Sequence, residues 1–281
     1  MRRTLSVVAA GLGLSLVGAP LVTAQAEPPG PPAVLSIYRE IVKPGKGSAH
    51  EKNEAAWAGA FSKAGAPIHY IAMTSVTGPD EAWFLEGRQN IASIETGNQF
   101  VEGNPALQAE ISAAAGRESD IVSTSSHILA TLRKDLSYGA AVDIPKMRYM
   151  SVTTVHVKPG YNRDFETYRK TINEAHEKAK LAESWAVFQV ISGGPGGTFL
   201  IFQPMKSLSE MDGFQEMHGK SYDEAMGEDG RARMRDLSRE AIQSTTNQVF
   251  SFNPKMSAMS KEFMARDAEF WAPKPAETKK K

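Results

Sequence analysis

The chain has 281 residues, of which 41% are hydrophobic and 23% are charged, and it contains no cysteine. This balance is typical of a soluble globular protein, and the lack of cysteine excludes disulfides, thiolate metal ligands and cysteine nucleophiles. Acidic and basic residues are equal in number, and no basic block stands out except residues 279–281. The composition therefore argues against a nucleic-acid partner.

The first 26 residues have the layout of a secretory signal peptide. Arg2 and Arg3 precede a short apolar run, and the sequence AQA ends it, which predicts cleavage after Ala26 and an exported, periplasmic or secreted protein. The two arginines leave the twin-arginine route open beside the general secretory route. The run is short and interrupted by glycine, so we expect no membrane span after cleavage, an uncleaved anchor being the alternative.

The remaining chain contains two copies of one unit. The segment VLSIYREIVKPG at 34–45 matches YMSVTTVHVKPG at 149–160 at five of twelve positions, and both segments end in Lys-Pro-Gly. Two further pairs of segments match in the same order, at offsets of 116 and 120 residues. Three matches in one order indicate an internal duplication.

Each copy is predicted to fold as β-α-β-β-α-β. An opening strand rich in Ile, Val, Thr and Tyr stops at Pro-Gly, because proline cannot extend the hydrogen-bond ladder and glycine permits the turn. An amphipathic helix, a hairpin, a glycine-broken helix and a final strand follow. We expect the units at 27–140 and 147–257, with a C-terminal helix and a disordered tail at 258–281.

This order of elements is the split-βαβ, ferredoxin-like motif. A strand that ends in VKPG, followed by a charged helix with a central aromatic residue, resembles the dimeric α/β-barrel superfamily. Within that superfamily it is most similar to the NIPSNAP-like and antibiotic-biosynthesis-monooxygenase-like families. The resemblance covers 34–257 and implies an α+β fold in which two ferredoxin-like units press their sheets into a barrel. The chain would then be a pseudo-dimer by itself, present as a monomer or a homo-oligomer.

The two copies differ at their histidines, and these differences give the candidate catalytic residues. His156 stands where the first copy has Ile41, and His176 stands where it has Phe61. A desolvated imidazole titrates near neutral pH and can act as a base, although histidines in such places are more often structural. No histidine pair has the spacing of a metal site, so no metal is predicted; a site assembled from distant residues is the alternative.

Aromatic and basic side chains of the same framework give the candidate ligand contacts. Trp57 and Trp185 would hold a flat ligand between sheet and helix, and His69 aligns with Trp185 between the copies. Arg39 is the candidate for holding a negative charge, because it shares its strand face with the position that aligns with His156. The alternative interpretation of the tryptophans is ordinary core packing.

Together these features predict a protein that binds a small apolar or aromatic molecule in a pocket between sheet and helix. The resemblance implies an alternative, a cofactor-independent monooxygenase or isomerase in which His156 or His176 removes a proton and Arg39 holds the oxyanion. A haem-binding protein or a purely structural module is a further alternative. No motif specifies a cofactor.

Overall fold

The computed structural model of the protein describes residues 30–212 and 220–272. The predicted signal peptide and the last nine residues of the predicted tail lie outside these residues. The first half contains β1 (Val34–Val42), α1 (Gly47–Ala64), β2 (Tyr70–Ser75), β3 (Glu81–Arg88), α2 (Ser93–Glu102), α3 (Pro105–Glu118) and β4 (Val122–Leu132). The second half contains β5 (Tyr149–Val157), α4 (Asn162–Ala179), β6 (Ala186–Ser192), β7 (Thr198–Met205), α5 (Lys220–Ala241), β8 (Ile242–Phe252), α6 (Lys261–Ala265) and α7 (Ala268–Trp271).

The eight strands form one closed antiparallel barrel in the order β1-β3-β2-β8-β5-β7-β6-β4. Each half contributes four consecutive strands of this order, β4-β1-β3-β2 and β8-β5-β7-β6. The halves meet at two antiparallel seams, β2 with β8 and β4 with β6. Closure pairs both edges of each half, so the protein is an α+β barrel without a free sheet edge among its eight described strands.

Apolar side chains from all eight strands fill the barrel interior. Ile37, Trp83 and Phe250 are fully buried there, and the rings of Trp83 and Phe250 pack 5.3 Å apart across the two halves. Two further apolar clusters lie between sheet and helices, one around Phe84 in the first half and one around Phe165 in the second. The helices therefore cover the outer face of the barrel. None of the helices in the described ranges is long and apolar enough to cross a membrane.

The repeated Lys-Pro-Gly turns connect the first strand of each half to the end of a helix. Lys43 Nζ donates to the carbonyl of Ser119 at 2.8 Å, and Lys158 Nζ donates to the carbonyl of Arg239 at 2.7 Å. A cation at a helix C-terminus satisfies a free carbonyl and opposes the negative end of the helix dipole. The two contacts lie at corresponding places in the two halves, so Lys43 and Lys158 are equivalent residues.

The predicted C-terminal helix is instead two short helices, α6 and α7. Phe263 of α6 and Trp271 of α7 are both buried in the barrel core. Trp271 Nε1 also donates to the carbonyl of Pro145 at 2.6 Å. The chain turns between the helices, around Arg266 and Asp267, and this turn lets both aromatic side chains reach the barrel core.

Candidate functional site

The two faces of strand β1 lie in different surroundings. Leu35 and Ile37 point into the barrel core, and because side chains alternate along a strand, Arg39 lies on the same inner face. Arg39 donates two hydrogen bonds to Glu81 Oε1, from Nε at 2.9 Å and from Nη2 at 2.7 Å, and its guanidinium lies 4.4 Å from the ring centroid of Trp83. Arg39 is therefore paired with a buried carboxylate at the edge of the core.

His156 lies on the inner face of β5, at the end of the strand, and is half-buried. Its Nδ1 lies 3.0 Å from Thr198 Oγ1, and that hydroxyl donates to the carbonyl of Pro195 at 2.7 Å. Because the hydroxyl has only one proton, His156 Nδ1 is the donor in their contact. In the neutral imidazole, Nε2 then keeps its lone pair.

Two of the residues predicted from the sequence, His176 and Trp185, come together between the sheet and α4. Their rings meet edge to face, with centroids 4.8 Å apart. Tyr138 and Tyr222 also contact the imidazole, at centroid distances of 5.5 Å and 5.0 Å. His176 is thus buried among the side chains of Trp185, Tyr138 and Tyr222.

Hydrogen bonds engage both nitrogens of His176. Nδ1 donates to the carbonyl of Ile172 at 2.8 Å, and Nε2 lies 2.9 Å from Glu183 Oε2. A carbonyl only accepts, so Nδ1 carries a proton, and one further proton is shared between Nε2 and the Glu183 carboxyl group. Both side chains are buried, so the pair holds the imidazole in one orientation.

Arg169 adds a buried positive charge to the same layer. It is 8% exposed, and its guanidinium lies 5.1 Å from the ring centroid of Trp185. Burial lowers the pKa of Arg169 to about 10, because the charged form has lost its water. Within the described ranges no carboxylate forms an ion pair with Arg169, and its Nε has no hydrogen-bond partner. A buried guanidinium with an open donor is suited to bind a negatively charged group.

A surface depression of about 340 Å³ lies between α4 and α5 of the second half. Its walls are Tyr168, Met234, Arg235, Ser238 and Arg239. Tyr168 precedes Arg169 on α4, and burial raises the pKa of its hydroxyl. The depression therefore combines an aromatic wall with two arginines contributed by α5.

The first half contains a polar cluster that was not predicted from the sequence. Glu40 on β1 and His50 and Glu54 on α1 are buried, and each offers a ligand atom within 4.8 Å of those of the other two. His50 Nε2 lies 2.7 Å from Glu40 Oε2. Glu118, at the end of α3, interacts with Glu40 as well. The signal in the sequence was the i, i+4 spacing of His50 and Glu54 on one helix face.

Burial and repulsion raise the pKa values of this cluster. Burial, followed by the charges of Glu40 and Glu118, raises the pKa of Glu54 to about 8. Burial and the contact with Glu40 raise the pKa of Glu118 to about 7. The cluster therefore holds protons at neutral pH that isolated carboxyl groups would release.

The remaining candidates, Trp57 and His69, lie apart from both the side chains around His176 and the cluster around His50. Trp57 is half-buried on α1 and packs against Phe61, with ring centroids 6.2 Å apart. His69 is exposed, immediately before β2. The structure thus assembles His176 with Trp185, and leaves Arg39, Trp57 and His69 at separate places.

No protein-family model matches the chain, and no curated protein matches it by sequence. Solved structures do resemble it. An anthrone oxidase-like protein is 10% identical, with 81% of this chain and 94% of that chain covered and a TM-score of 0.51. A candidate monooxygenase from Fusobacterium nucleatum is 12% identical, with 78% and 91% covered and a TM-score of 0.50. Such structures belong to the dimeric α/β-barrel superfamily. The chain has the dimeric α/β-barrel fold.

In this dimeric α/β barrel, the cluster around His50 and the side chains around Arg169 occupy equivalent sheet–helix layers of the two halves. Helices α1 and α4 are both 18 residues long and begin 115 residues apart. His50 is therefore equivalent to Phe165, and Glu54 to Arg169. The halves thus have an acidic group and a basic group at the same buried position.

Proposed function

We propose that this chain is an exported protein that binds a small aromatic molecule carrying a negative charge, in the sheet–helix layer of the second half. We also propose that the halves are tandem ferredoxin-like units. The signal-like segment before residue 27 supports export, and the strand order of each half supports the duplication. The observation that carries the proposed function is the buried guanidinium of Arg169, open at Nε and lying against Trp185.

The surroundings of Arg169 supply the two properties that such a ligand needs. Trp185 and Tyr168 offer flat apolar surfaces, which favour an aromatic ring. Arg235 and Arg239 line the depression beside Tyr168, and positive charge on this surface attracts anions. One fold neighbour is named anthrone oxidase-like, and an anthrone is a flat aromatic ketone of the proposed shape class.

The binding proposal is tested with 2-naphthoate and its neutral amide, using calorimetry and quenching of tryptophan fluorescence. We expect naphthoate to bind more tightly than the amide. Arg169→Met should weaken naphthoate binding by about 10- to 100-fold, the effect of losing a charge-assisted hydrogen bond, and should change amide binding little. Arg163→Met, an exposed arginine on the same helix, is the matched control. Equal affinity for both probes in the wild-type chain would overturn the proposal.

A second candidate function is the cofactor-independent monooxygenase or isomerase. The free lone pair on His156 Nε2 favours it, because a base needs an open nitrogen. His176 is a weaker candidate for the base, since both of its nitrogens are engaged.

Enzyme-catalysed exchange of the acidic methylene protons of anthrone for deuterium, followed by NMR, tests this chemistry. We expect His156→Gln to abolish the exchange and His176→Gln to retain it; exchange that survives in His156→Gln removes His156 from this role.

His176 does not fit haem ligation. An axial ligand needs a nitrogen whose lone pair faces the iron, and hydrogen bonds engage both nitrogens of His176.

A further inference from the structure

We propose that Glu40, His50 and Glu54 form a binding site for a divalent transition-metal ion, in the sheet–helix layer of the first half. Glu118 would be a fourth donor at the entrance. This site is separate from the proposed ligand site of the second half, so either can fail without the other.

The geometry supplies a nearly assembled set of donors. Glu40 comes from β1, and His50 and Glu54 come from successive turns of α1, with donor atoms within 4.8 Å of one another. Zinc bonds to nitrogen and oxygen are about 2.0–2.2 Å long, so tetrahedral ligands lie roughly 3.4 Å apart. Small side-chain movements would close the remaining difference.

The charges of the cluster are not balanced by the protein. Glu40, Glu54 and Glu118 share one imidazole, and no Lys or Arg side chain in the described ranges forms an ion pair with any of them. Glu54 is 6% exposed and accepts a hydrogen bond from Asn53 Nδ2 at 3.3 Å. Buried carboxylates need a compensating positive charge or a proton. A metal cation would supply that charge at the point where the three side chains converge.

The duplicated fold shows that the barrel does not need this cluster for packing. The second half has Val155 and Phe165 where the first has Glu40 and His50, and its sheet–helix layer is nevertheless buried and aromatic. Polar groups that the architecture can replace with apolar ones are retained in the first half at a cost in desolvation. A bound metal ion would offset this desolvation cost.

The donor types select the class of metal. One imidazole with two or three carboxylates suits Zn²⁺ or Mn²⁺, whereas Mg²⁺ and Ca²⁺ prefer oxygen donors alone. A depression of about 290 Å³, lined by Glu118 and by residues 122–125 of β4, opens at Glu118, which contacts Glu40, and so offers an entry path from the surface.

Calorimetric titration of the chelator-treated full chain with ZnCl₂ and with MnCl₂ tests the site, with MgCl₂ as the comparison. We expect one Zn²⁺ per chain, weaker Mn²⁺ binding and no Mg²⁺ binding at the same concentration. Glu54→Gln and His50→Gln should each weaken Zn²⁺ affinity by about 100-fold, since loss of a residue that only orients a ligand already costs about 10- to 100-fold. Circular dichroism verifies that the variants fold.

Two controls separate the proposed site from surface binding. Glu51→Gln changes the neighbouring carboxylate on α1, which points to Lys255 instead, and should leave Zn²⁺ binding unchanged. His69→Gln removes an exposed imidazole and should also leave it unchanged. Loss of Zn²⁺ binding in His69→Gln, or retention of full affinity in a folded Glu54→Gln chain, would overturn the proposal. Absence of stoichiometric Zn²⁺ and Mn²⁺ binding would overturn it as well and would leave protons as the partners of the carboxylates.

Discussion

Glu54 and Arg169 are equivalent residues of the two halves, both buried between helix and sheet. Burial of the charged form costs free energy at both positions, but the neighbouring side chains differ. Around Glu54 the neighbours are carboxyl groups and an imidazole, and the pKa of Glu54 rises to about 8. Around Arg169 the neighbours are aromatic rings, which can accept a guanidinium against their faces. At the residue scale, equivalent positions of the two halves thus carry an acidic group in a polar layer and a basic group in an aromatic layer.

The raised pKa of Glu54 predicts a pH dependence of stability in the metal-free chain. The folded chain keeps a proton that the unfolded chain releases near pH 4.5, so this contribution to stability is complete below that pH and is lost as the pH rises towards about 8. Glu54→Gln should therefore become more stable relative to the wild type between about pH 5 and pH 8, by at most about 1.4 kcal/mol per pH unit. Urea unfolding with chelator present measures the difference, and a constant difference across this range would contradict the prediction.

At the scale of elements, the Lys-Pro-Gly turns connect a strand to a helix in each half. Lys43 and Lys158 each join the end of the first strand to the end of the helix that precedes the fourth strand.

The fourth strands, β4 and β8, begin about five residues earlier than their apolar segments predict. The first residue of each strand, Val122 or Ile242, is apolar and the next five are polar and exposed, yet the strands pair with β1 and β5 across one register shift each. Local hydrophobic alternation could not reveal them, because neighbouring backbone, not burial, holds these residues in the sheet.

Removal of one of these lysine contacts should destabilise the protein modestly. Lys158→Met is expected to lower the free energy of unfolding by about 0.3–1 kcal/mol, the range for a cation at a helix C-terminus. The effect should shrink at high salt, because salt screens exposed charges. Lys52→Met, an exposed lysine in the middle of α1, is the control and should have a smaller effect. Equal urea midpoints for the two variants would remove the proposed role of the turn.

The whole molecule depends on packing between its halves. Trp83 of the first half and Phe250 of the second meet in the barrel core, and neither is exposed to solvent. Phe250→Ala should therefore lower the free energy of unfolding by about 3–5 kcal/mol, because it leaves a cavity that the barrel cannot close. Ile191→Ala, at a residue that is 47% exposed, should change it by less than about 0.5 kcal/mol. Denaturant unfolding measures both, and a small loss for Phe250→Ala would mean that the interior is loosely packed.

Separation of the halves should expose the core face of the sheet. A chain of residues 27–143 would present Ile37 and Trp83 to water, together with the unpaired edges of β2 and β4. We expect it to self-associate, and light scattering after size-exclusion chromatography would detect this. A soluble monomer of the first half would contradict the pseudo-dimer.

The sequence by itself predicted two similar halves, the order of strands and helices in each, and the apolar residues of the core. These follow from local periodicity and turn chemistry, which need no knowledge of distant residues. It also indicated His176 and Trp185, although not that they meet. The two faces of a strand have the same periodicity, so the sequence left open which face of β1 and β5 would be the inner one.

Only the tertiary structure decided that question. Closure of the barrel by the second half places Arg39 on the inner face, paired with Glu81, and leaves Glu40 facing α1. That choice brings Glu40 to His50 and Glu54, and leaves Arg169 buried without a counter-ion among the described residues. The physical reason is that convergence of side chains from separate elements depends on which surfaces are packed together, and no local pattern encodes that packing.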